Sequence, residues 1–83
     1  GAGSEDSARD LVAVLRQEAS QLHGVMTSRL VELIPSADDR ATAGIVVALD
    51  ALGFRGRLEL TTERVAVLER SSRGGAAFKR ISR

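Results

Sequence analysis

A chain of 83 residues without a single cysteine has no disulfide framework to lean on, so one small hydrophobic core must hold it together. That constraint favours a single domain of modest stability. It also favours an intracellular setting, cytoplasm or nucleus, for a fold that depends on its core alone. The apolar share of 43% and charged share of 28% are those of an ordinary globular domain and not of a disordered segment. The run Ile45–Leu49 is far short of the roughly 20 apolar residues needed to cross a bilayer, which argues against a membrane span. Gly1-Ala2-Gly3-Ser4 lacks the basic start and apolar centre of a signal peptide and reads as a cloning remnant or frayed linker. Residues 1–6 are therefore expected to be a flexible start and 7–83 one domain, with no internal repeat and no second domain.

Periodicity divides that domain. Ser7-Ala8-Arg9-Asp10 reads as a helix start, with Ser7 placed to cap and Asp10 favourable on the helix dipole. Leu11, Val14, Leu15 and Leu22 then recur at helical spacing, predicting a first helix from about Ala8 to about Leu22. Gly24 is expected to interrupt it, Val25-Met26 to be a short irregular piece, and Thr27 or Ser28 to cap a second helix carrying Leu30, Val31, Leu33 and Ile34. Pro35 disfavours helical geometry at Ile34 and ends that helix. Ser36-Ala37-Asp38-Asp39 repeats the capping pattern, so a third helix follows at once, with its apolar stripe on Ala41, Ile45, Ala48, Leu49 and Leu52. Gly53 is placed to close it in the left-handed conformation.

From Arg57 the pattern alternates: Leu58 and Leu60 flank Glu59, and Val65 and Val67 flank Ala66. Two short strands forming a β-hairpin are the expectation here, because Val65 and Val67 are β-branched and a very short helix is weak. The alternative is that Thr61-Thr62-Glu63 caps a fourth helix running through Arg70. Ser71-Ser72-Arg73-Gly74-Gly75 reads as a turn, with Ala76–Ile81 returning as a third strand. The fold class expected is thus α+β, three helices followed by a hairpin or small antiparallel sheet.

That element order, together with the Ala51-Leu52-Gly53-Phe54 exit from the third helix, resembles the winged-helix branch of the helix-turn-helix superfamily. The resemblance spans nearly all of residues 7–82 and rests on architecture. It implies a nucleic-acid-binding domain, with the third helix in the major groove and the hairpin as a wing on the backbone. The third helix departs from that pattern, since it offers Arg40 and Thr42 among Asp38, Asp39 and Asp50, and acids are repelled by phosphates.

Charge is unevenly distributed. Residues 1–50 carry four arginines against eight acids, a net of −4, whereas residues 51–83 carry eight cations against three acids, a net of +5, within a chain of net charge +1. A footprint for an anionic partner, DNA or RNA, therefore falls on the C-terminal third, through phosphate contacts by Arg70, Arg73, Lys79 and Arg80 with Arg55 and Arg57 assisting. The competing reading of the same residues is a solvated basic turn. Phe54 and Phe78 are the only aromatics, too few for binding single strands by base stacking.

A second class of function is a protein-interaction or dimerisation module using the third helix, where Ile45–Leu49 is apolar on most of its circumference and Val46 and Val47 are the candidate contacts. Catalysis is not expected. His23 has no second histidine or cysteine beside it, Asp38 and Asp39 diverge around a helix, no serine lies in a nucleophile elbow, and Lys79 follows Gly74-Gly75 without a phosphate-binding spacing. No cofactor, metal or small-molecule substrate is implied.

Overall fold

The computed structural model describes residues 2–83, with side chains described from Asp6 onward. The chain runs through four α-helices and one 3-10 turn: α1 (Ala2–Leu33), the turn (Ile34–Ser36), α2 (Asp39–Ala51), α3 (Thr62–Arg70) and α4 (Ser72–Ile81). No strand occurs among the described residues. This overturns the α+β expectation and, with it, the winged-helix resemblance, because there is no hairpin to act as a wing. The expected flexible start falls partly outside the described residues, and from Ala2 the chain is already helical.

The first correction lies at Gly24. A glycine in a helix interior costs about 1 kcal/mol relative to alanine, which is too little to end a helix that continues favourably on both sides. The backbone passes straight through, and Thr27 turns its hydroxyl back onto the carbonyls of His23 at 3.1 Å and Gly24 at 3.0 Å instead of capping a new helix. Two expected helices are one, of 32 residues and thus about 48 Å long. Pro35 then ends it as expected, within the 3-10 turn. The cap of α2 is Asp38, whose carboxylate accepts from the Ala41 amide at 2.7 Å, and not Ser36.

The exit from α2 follows the sequence closely. Gly53 has φ of 77°, its amide donates to Asp50 O at 2.9 Å, and the Phe54 amide reaches Leu49 O at 3.0 Å, the two bonds of a Schellman motif. Residues 54–61 then form neither helix nor strand, with a bend at Gly56, and are tied to α4 by the Gly56 amide on Ile81 O at 3.1 Å while burying Leu58.

The second correction covers residues 62–81. Thr61 caps α3 by accepting from the Arg64 amide at 3.2 Å, and Ser71 caps α4 by accepting from Gly74 at 3.2 Å, so the two helices follow one another with a single residue between them. Gly74 and Gly75 serve close packing and not a turn. A Cβ on Gly74 would stand 3.0 Å from Leu68 Cδ1 and 3.2 Å from Ala43 Cβ, and one on Gly75 would stand 3.2 Å from the carbonyl oxygen of Glu69. α4 packs chiefly against α2 and then α3.

The core is wholly aliphatic: Ile34, Val46, Leu49, Leu58, Leu68, Ala77 and Ile81 form one cluster, with Leu49, Val46 and Ile81 fully enclosed. One polar device pins it. Arg64, on α3, donates through Nη1 to Ile34 O at 3.0 Å and through Nη2 to Ala37 O and Thr42 Oγ1. Thr42, only 2% exposed, in turn donates to Asp38 O at 2.7 Å. The turn after α1, the start of α2 and α3 are thereby fastened to a single guanidinium.

Candidate functional site

α1 contributes only its last turns to this core. Leu30 and Val31 pack against it, and Leu33 points away. From Asp6 to Met26 every residue is exposed, so more than half of the longest helix projects beyond the packed head. The dimensions show the consequence: 61 × 22 × 18 Å, with a radius of gyration of 17.6 Å where a compact chain of this length has about 12 Å.

The projecting arm is not polar. Leu11, Val12, Val14, Leu15, Leu22, Val25, Met26 and Leu33 are each 41–65% exposed. At 100° per residue these eight fall within an arc of about 160°, and Arg9, Ala13, Arg16, Gln17 and Ser20 occupy the remainder. The pattern recurs every 11 residues, Leu11, Val14 and Leu15 answering Leu22, Val25 and Met26, a period of about 3.67 that keeps the stripe nearly straight along the axis. Two charges interrupt its middle at equivalent places in that repeat, Glu18 and Arg29, and Glu32 lies at its edge on the line of Val14.

Where the arm joins the head, the stripe opens into a groove of about 590 Å³ between α1 and α2, lined by Val25, Met26, Arg29, Leu30, Ala48, Ala51 and Leu52. His23 fixes the geometry beside it by donating from Nε2 to the Leu52 carbonyl. That contact is the role the structure gives the single histidine.

The C-terminal cations are distributed differently from the basic hairpin expected. Arg55 and Arg80 converge on one carboxylate, Asp50, at 3.6 Å and 2.8 Å, and Arg80 Nε also donates to it at 2.8 Å. Arg55 further donates to Phe54 O at 2.8 Å. Arg70 is exposed at the end of α3, and Arg57 is exposed on the extended segment. Arg73, Lys79 and Arg80 are exposed on α4, whose Gly74, Ala77 and Ile81 are buried. Arg73 stands beside Ala43, Gly44 and Val47 of α2, Arg80 is held by Asp50, and Lys79 lies about 120° from Arg73 around α4, beside Glu69 and Ser72; the cations are carried by a helix and not by a β ribbon.

The residues expected to meet a protein partner are placed inside. Val46 is fully buried and Val47 half-buried beside Ala43 and Gly74. The apolar surplus of the molecule sits on α1 instead: helical spacing identifies Leu11, Val14, Leu15 and Leu22, whereas Val25 and Met26 fall in the piece expected to be irregular. The signal that distinguishes them is the 11-residue recurrence along a helix longer than any of α2–α4.

No protein-family model, curated protein or solved structure matches the chain. Among the described residues no helix is long and apolar enough to cross a membrane.

Proposed function

We propose that this chain is a protein-interaction module: the α2–α4 head anchors and orients the arm, and the arm offers its apolar face to a partner helix. The observation that carries this reading is the face of large aliphatic side chains, up to 65% exposed at Val25 and interrupted only by a few charges, along one continuous helix. A soluble monomer rarely leaves so much contiguous apolar surface open, and an amphipathic helix with such a stripe is the standard element of helix-to-helix recognition. The test is a photo-crosslinking amino acid placed either at Leu15, on the stripe, or at Ala13, on the opposite face. Defined protein adducts from position 15, absent from position 13 and abolished by Leu22→Asp, are the expected result. Equal yields from both faces, or none from either, would refute the reading.

A second reading keeps the C-terminal cations as a phosphate-binding surface for DNA or RNA. What favours it is the exposure of Arg57, Arg70, Arg73 and Lys79 within a C-terminal third of net charge +5. Binding of this kind weakens steeply with salt and drops by a similar factor on all sequences when Arg73 or Lys79 is neutralised. A mobility-shift assay on duplex DNA and on RNA at two salt concentrations decides it. No binding at low ionic strength counts against it.

A further inference from the structure

Resting on the interaction-module reading, we infer that the partner is a second copy of this chain, its α1 laid antiparallel along the first so that Glu18 of each copy meets Arg29 of the other. Area is the first argument. The chain exposes 6155 Å² at a mass of 8.8 kDa, where a compact monomer of that mass exposes about 4,800 Å². The excess is roughly 1,400 Å² per copy. A stable interface hides roughly 600–1,000 Å² on each side, so one arm-to-arm contact removes most of what is anomalous about the monomer.

Charge sets the direction. In a parallel, in-register pair Glu18 would face Glu18 and Arg29 would face Arg29 across the seam, like against like. In the antiparallel pair centred between His23 and Gly24, both contacts become opposite-charge pairs. Leu22 then falls level with Val25 of the other copy, and Val14 and Leu15 reach Leu33. Arg29 is available for this, since its own partner Glu32 is held at 3.4 Å with both side chains more than 60% exposed. The α1/α2 groove continues the stripe, and its α1 wall, Val25 to Leu30, lies level with residues 17–22 of the other arm, which lets the middle of one arm seat there. Pairing also answers a difficulty within the single chain, because a projecting helix without tertiary contacts is marginal in water.

The test uses the purified full chain. Sedimentation should give a dimer dissociating in the micromolar range, and Leu22→Asp should give a monomer whose α2–α4 amide NMR resonances are unchanged. Glu18→Arg should raise the dissociation constant about tenfold, Arg29→Glu likewise, and the two together should restore it, because the pairs are then re-formed with exchanged signs. Spin labels on Ala13→Cys, on the outer face of each arm, should be offset by about 30 Å along the axis if the arms are antiparallel and level with one another if parallel, so the antiparallel pair gives the clearly longer distance. A strict monomer that still gives stripe-specific adducts in cells overturns self-pairing and leaves the interaction module standing. A monomer with no such adducts overturns both. A dimer with the short label distance and indifference to Glu18→Arg overturns the antiparallel arrangement.

Discussion

Replacing Arg64 by methionine keeps most of the side chain's apolar length and removes the guanidinium that fastens three segments together. Its donors reach Ile34 O, which also accepts from the Ala37 amide, and Ala37 O and Thr42 Oγ1. A hydrogen bond from a charged donor contributes roughly 1.5–3 kcal/mol net, and three that share one half-buried group fall short of additive, so the expected loss is about 3 kcal/mol. For a chain of this size that corresponds to a fall in Tm of roughly 12–24 °C. The measurement is urea unfolding followed by circular dichroism, made in the Leu22→Asp background at fixed concentration so that association does not contribute. Arg64→Lys should recover only part of the loss, since an ammonium cannot reproduce the planar fork that spans Ile34 O and Thr42 Oγ1. Arg70→Met, at an exposed arginine on the same helix, is the control and should change stability by less than about 1 kcal/mol. If Arg64→Met costs no more than Arg70→Met, the view that this guanidinium ties the turn after α1 to α3 is wrong.

The glycines divide by what a Cβ would meet. Gly24→Ala and Gly44→Ala, with nothing within 4 Å, should each stabilise by about 0.5–1 kcal/mol in the same denaturation assay, whereas Gly75→Ala should destabilise because its Cβ would press on the backbone of Glu69, with Cα at 3.3 Å. Gly53→Ala, at φ of 77°, should cost about 1 kcal/mol. Asp50→Asn should change stability by less than about 1 kcal/mol, its arginine partners being about half exposed, but it frees Arg55 and Arg80 together. If the cations of the C-terminal third hold nucleic acid, that variant binds more tightly and with a steeper salt dependence in a mobility-shift titration.

What was legible in the sequence is what neighbouring residues decide. The stop at Pro35 and the left-handed exit at Gly53 depend on backbone rules that act over a few residues, and both stand in the structure as read. The break expected at Gly24 did not form, because the penalty of one glycine is small beside the cooperativity of the helix on either side. The strands expected at residues 58–67 and 76–81 failed for a different reason. Val65 and Leu68 also satisfy helical spacing, Thr61 and Ser71 supply caps, and the Gly74-Gly75 pair that looks like a turn is demanded by Leu68, Ala43 and the Glu69 backbone, neighbours that are distant or irrelevant along the chain until it has folded.

The apolar face of α1 exposes a deeper ambiguity. Helical spacing reports that a face is fit to be covered; it says nothing of whether the cover comes from the same chain. Here the arithmetic of the rest of the molecule decides. Three helices of 13, 9 and 10 residues enclose one another and the end of α1, and at about 1.5 Å per residue none exceeds about 20 Å, against about 48 Å for α1. The head cannot reach the stripe at Leu11 or Leu15 whatever its packing. A surface that α2–α4 leave open, and that carries opposite charges at equivalent points of an 11-residue recurrence, has the form of half an interface.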